Sequence, residues 1–122
     1  MTTVAVVGAS NDRSKFGNKA LRAFQAEGYR AIPVNPHEPT VEGQTCYASV
    51  LDIPGPVDMA TVYVPPGIAL GLLDEFARKG IAEIWFNPGT EDDTVIAESR
   101  RRGLNAIFAC SIIGIGQNPS RF

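Results

Sequence analysis

The chain has 122 residues, 44% of them hydrophobic and 20% charged, with a formal net charge of −2. That length lets roughly two-thirds of the extended-chain surface be buried in one domain, 1–122, and the composition is that of a globular protein. The slight acidity excludes the basic surface that nucleic acid or an anionic membrane would need, and no apolar run reaches the roughly 20 residues of a membrane span.

The N-terminal Met1-Thr2-Thr3 leads straight into an apolar run, so no signal peptide is expected and the chain reads as cytoplasmic. Cys46 and Cys110 are far apart in sequence and read as free thiols. Val4 to Val7 is the continuous apolar run of a strand covered on both faces. Gly8, Ala9 and Ser10 then form a turn with little side chain, which leaves room for a ligand close to the backbone. A helix expected over 15–27 would aim its free N–H groups and dipole at that turn, with Arg13 and Lys15 adding positive charge. Phe16, Ala20, Leu21 and Phe24 form its apolar stripe, and Gly17 lets it approach the first strand.

A second strand is expected over 30–35, closed by Pro33-Val34-Asn35-Pro36. The turn-rich stretch that follows holds His37, an edge strand over 45–47 and one helical turn over 50–52. The next strand, 57–64, ends in Pro65-Pro66, and Pro66 suits the first position of a helix reaching Lys79-Gly80. Ile68, Leu72, Leu73 and Phe76 are its inward residues. A strand over 83–87 precedes Pro88-Gly89. Thr90 then reads as the cap of a helix, with Asp93 three residues on. Glu91 to Asp93 and Arg100 to Arg102 complement the two ends of that helix dipole. The last strand spans 104–109, and the tail from Cys110 is expected on the surface.

Gly28, Gly80 and Gly103 each close a helix and precede a strand. Alternation of this kind predicts an α/β fold: a Rossmann-like, doubly wound parallel sheet of five to six strands, three layers αβα, in the order 3-2-1-4-5-6. In such a sheet ligands bind beyond the carboxyl ends of the strands, where the strand order reverses. Gly8-Ala9-Ser10, Val34-Asn35-Pro36, Val64-Pro65-Pro66, Asn87-Pro88-Gly89 and Cys110 all fall at that edge. The stretch 30–36, covering the second strand and its end, has no acid to hold the ribose hydroxyls of NAD, and the glycine spacing departs from G-x-G-x-x-G. One histidine and two distant cysteines assemble no catalytic triad, Cys–His pair or metal cluster.

Taken together, Gly8-Ala9-Ser10 with Lys15 and Gly17, Pro33-Val34-Asn35-Pro36, Gly43, Val64-Pro65-Pro66, Trp85 and Asn87-Pro88-Gly89 resemble the motifs of the small Rossmann-type CoA-binding proteins. The chain is also similar to the CoA-binding domain of the succinyl-CoA synthetase α-subunit and of NDP-forming acyl-CoA synthetases. The resemblance implies coenzyme A or an acyl-CoA as ligand. Gly8, Ala9 and Ser10, with Lys15 nearby, would hold the pyrophosphate. Val34, Asn35 and Pro36 would flank the adenosine, and Val64, Pro65, Pro66, Asn87, Pro88 and Gly89 would line the groove. The phosphohistidine domain of the ligases is not expected in these residues, so the chain reads as a binding module rather than an enzyme. The alternatives left open are an NAD(P)-binding reductase or sensor and a thiol carrier using Cys110. Arg13 and His37 are ligand contacts or solvated loop residues. A homodimer or a protein partner also remains open.

Overall fold

A computed structural model describes all 122 residues. In chain order it contains β1 (Thr3–Val7), α1 (Phe16–Ala26), β2 (Arg30–Val34), β3 (Thr40–Val41), β4 (Gln44–Thr45), a 3-10 turn (Val50–Asp52), β5 (Met59–Val62), α2 (Pro66–Lys79), β6 (Glu83–Phe86), α3 (Asp93–Arg101), β7 (Ala106–Phe108), α4 (Ser111–Gly114) and a last 3-10 turn (Pro119–Arg121). Five strands form one sheet in the order β2-β1-β5-β6-β7, every pair parallel. The arrangement is the expected Rossmann-like α/β fold.

The strands read as continuous apolar runs because both faces are covered. Alternate residues split between two cores. Ala5, Val7, Ala60, Val62, Ile84 and Phe86 face α2 and α3, together with Leu73 and Phe76. Val4, Val6 and Met59 face the other way onto Leu21, Phe24 and Ile112.

β1 lies between β2 and β5, so the chain leaves it in one direction through α1 and returns on its other side. The reversal point is therefore the crevice between the ends of β1 and β5. The expected third strand is reduced to one residue: Tyr47 bridges Val34 in parallel, with Asn35 N–H donating to the Tyr47 carbonyl at 2.9 Å. That residue occupies the place of strand 3 in the order 3-2-1-4-5-6. The segment ahead of it instead folds into an antiparallel hairpin, β3–β4, whose two turn residues Glu42 and Gly43 have φ of 50° and 73°, the left-handed geometry favoured in two-residue hairpin turns.

Three local expectations are corrected. The cap of α3 is Asp92, whose carboxylate accepts from Val95 N–H at 2.8 Å. Thr90 is buried and donates to the Val62 carbonyl at 3.1 Å. Phe16 and Ile68 are exposed rather than inward, because each stands in the first turn of its helix, beyond the end of the sheet. The tail does not simply lie on the surface: Ser111 and Ile112 are buried, and Arg22 donates to the Phe122 carbonyl at 2.7 Å.

Candidate functional site

The loop after β1 is fixed by main-chain packing. Gly8 has φ of +89° and donates its N–H to the Val34 carbonyl at 2.9 Å. A Cβ on Gly8 would lie 2.4 Å from the Tyr63 carbonyl oxygen, and one on Gly17 would lie 2.2 Å from the Gly8 carbonyl oxygen. Both glycines thus serve the approach of loop, α1 and the exit of β5 to one another. The Ala9 methyl is fully buried. Two asparagines hold the loop from either side: Asn35 Nδ2 donates to the Ala9 carbonyl and Asn18 Nδ2 to the Ser10 carbonyl, each at 2.8 Å. Asp12 closes the turn into α1 by accepting from Ser14 N–H at 3.0 Å, and the Ser14 hydrogen bonds hold its carboxyl below the usual range.

This pinning leaves donors without partners. The N–H groups of Ala9, Ser10, Asn11, Phe16 and Gly17 are taken by no other part of the chain, and α1 begins without a side-chain cap. Unpartnered N–H groups at a helix start, here Phe16 and Gly17 with the exposed Lys15 beside them, favour an anion. Arg13 is turned away: its guanidinium pairs with Glu42 at 2.8 Å, and it lines none of the groove.

Three neighbouring compartments, which share lining residues, run along the carboxyl edge of the sheet. The first, about 460 Å³, is bounded by Gly8, Ser10 and Lys15, by Val34, Asn35, Pro36 and His37, and by Val64 and Pro65. The second, about 350 Å³, lies over Gly8, Lys15, Gly17, Val64, Pro65, Pro66, Pro88 and Gly89. The third, about 530 Å³, takes in Asn87, Pro88 and Cys110. All the candidate residues except Ala9 and Arg13 therefore line these neighbouring compartments on one edge of the sheet. A separate cavity of about 470 Å³ opens at the opposite rim, near Thr2, Asp58 and Asn105.

Some groove residues carry structural work that sequence reading did not show. Asn35 uses both side-chain atoms within the protein, since its Oδ1 also accepts from His37 N–H at 2.8 Å. Asn87 is buried. Its Nδ2 donates to Thr61 Oγ1 at 2.7 Å, and its Oδ1 accepts from Ser111 N–H at 2.8 Å. The Ser111 hydroxyl reaches Thr61 Oγ1 at 2.7 Å and the Tyr63 hydroxyl at 3.1 Å. Burial pushes the Tyr63 phenol up. Tyr63 lines all three compartments, and nothing in its immediate sequence marks it out.

Glu38 was also missed. It stands beyond the expected strand, lines the first compartment and accepts from Asn11 Nδ2 at 3.1 Å. Its signal was present as an acid just past Pro36-His37. Cys46 and Cys110 are both free, and burial pushes the Cys46 thiol up. No group of three His, Cys, Asp or Glu side chains is placed to hold a metal ion. No helix is long and apolar enough to cross a membrane.

Comparison with known proteins gives a consistent family signal. A family model described as a CoA binding domain matches residues 2–116. Acetate–CoA ligase (ADP-forming) II of Archaeoglobus fulgidus is 38% identical over 122 residues, covering 97% of this chain and 18% of its own length. The α-subunit of the corresponding Pyrococcus furiosus ligase II is 39% identical over 79 residues, 64% of this chain and 17% of that one. The chain thus spans under a fifth of these two relatives. A solved structure of a conserved hypothetical protein from Pyrococcus furiosus superposes with a TM-score of 0.85 at 31% identity, covering 93% of this chain and 99% of the other.

Proposed function

This chain belongs to the CoA binding domain family, and from that premise we propose that it binds CoA or an acyl-CoA as a stand-alone module without ligase chemistry. The observation that carries the reading is the pinned loop after β1: Ser10, Phe16 and Gly17, whose N–H groups are unclaimed, line the groove beside Lys15 where strand order reverses. In this reading the diphosphate rests on Gly8, Ala9 and Ser10 and at the start of α1. The adenosine occupies the first compartment beside Val34, Asn35, Pro36 and His37. The pantetheine arm runs over Pro66, Pro88 and Gly89 towards Cys110.

The chain's own residues bind and orient the ligand. The reading assigns none of them a proton transfer or a covalent step, and Cys110 is part of the groove wall. A second reading, a nicotinamide dinucleotide ligand, gains support from Glu38, a carboxylate in the first compartment able to accept from ribose hydroxyls. Competition calorimetry with CoA, dephospho-CoA, ADP and NADH separates the two. CoA binding tightest supports the first reading. NADH displacing CoA at equal concentration would replace it with the second.

A further inference from the structure

We infer that the third compartment is an acyl site and that the preferred ligand is an acyl-CoA carrying an uncharged hydrocarbon acyl group. This rests on the CoA reading and adds a substrate class to it. With the diphosphate on the loop after β1 and the adenosine on the β2 side, the other arm of the ligand leaves along the groove towards β6. There the second and third compartments share Phe16, Tyr63 and Pro88 and so lie next to each other along that path.

Apart from the exposed Asn118 and Ser120, whose polar groups hydrogen-bond to one another, the walls of that compartment that meet solvent are mainly apolar. Phe16 is 52% exposed and Ile113 64% exposed, an unusual setting for large apolar side chains lining the same compartment. Pro88 and Pro119 complete that surface. No carboxylate lines it. The single charged wall residue is Lys19, whose ammonium lies 5.3 Å from the centroid of the Phe16 ring. The nearby polar groups are engaged inward, the Tyr63 hydroxyl with Ser111 at 3.1 Å and Asn87 with Thr61. A hydrocarbon chain would cover Phe16 and Ile113, whereas an acyl group ending in a carboxylate would lose hydration against them.

Titration calorimetry of the protein under reducing conditions with CoA, acetyl-CoA, hexanoyl-CoA and succinyl-CoA tests this. A fully buried methylene is worth about fourfold in affinity. A half-covered chain should therefore leave hexanoyl-CoA about tenfold tighter than acetyl-CoA, with succinyl-CoA no tighter than acetyl-CoA. Ile113→Ser, at an exposed position, should remove most of the hexanoyl gain and leave CoA affinity and thermal stability unchanged. CoA binding with no dependence on chain length, a preference for succinyl-CoA, or an Ile113→Ser variant that keeps the full gain would each overturn the acyl site while leaving the CoA reading standing. Failure of CoA itself to bind would overturn both.

Discussion

Lys15 and Gly17 stand two positions apart and do different work. Lys15 is exposed beside the free N–H groups, where a charge-assisted contact to a phosphate costs little folding energy. Lys15→Ala is expected to weaken CoA binding about tenfold with the melting temperature unchanged, and calorimetry beside a thermal melt reads both. Gly17 is buried against main chain, with the Gly8 carbonyl oxygen 2.2 Å from where a Cβ would sit. A carbonyl in that loop cannot move aside as a flexible side chain would. Gly17→Ala is expected to cost about 3 kcal/mol or more of stability, seen as a large fall in the denaturant midpoint. A near-normal midpoint would mean that α1 can slide away from the loop.

The helices and strands were legible because two periods dominate the sequence, near-continuous apolar runs for strands and a 3.6-residue stripe for helices. Helix ends were less so. Thr90, Glu91, Asp92 and Asp93 offer several adjacent oxygen side chains able to cap a helix, and spacing favoured Thr90. The structure uses Asp92, because Thr90 is drawn down to the Val62 carbonyl. Asp92→Ala is expected to cost about 1 kcal/mol, a fall in melting temperature of about 4 °C. At the far end of the same helix, Arg101 and then Arg102 hold the Glu98 carboxyl down to about 2. Its ordinary value is near 4.5, so the contribution of these exposed pairs is fully present above pH 4.5 and fades as pH falls towards 2. Glu98→Gln is expected to leave the melting temperature at pH 2 unchanged and to lower it slightly at neutral pH, which melts at the two pH values would detect.

Across the molecule, the edge of the sheet that carries the groove could be read from the sequence, because Gly8, Pro36, Pro66, Pro88 and Cys110 all follow strands. What closes that edge from below could not. Ser111 meets Thr61 across 50 residues of sequence, and no local pattern encodes such a meeting. The same holds for Ile112, fully buried in the core that faces α1. The tail is thus a structural layer on the face where the sheet has only one long helix. Ile112→Ala is expected to destabilise the protein by about 3 kcal/mol through the cavity left behind, measured by chemical denaturation. A loss under 1 kcal/mol would mean the tail is a detachable cover.

The mutual packing of Gly8 and Gly17 bears on how relatives of this chain are sorted. Two positions that answer to main-chain crowding will persist in descendants that have lost every ligand, so a search keyed to them collects an architecture. Recognition has to be judged at neighbouring positions that are free to change, Lys15 first. A retargeting library would hold both glycines constant and vary Lys15 first, because the side chains of Ser10, Asn11, Asp12 and Arg13 are engaged in holding the loop.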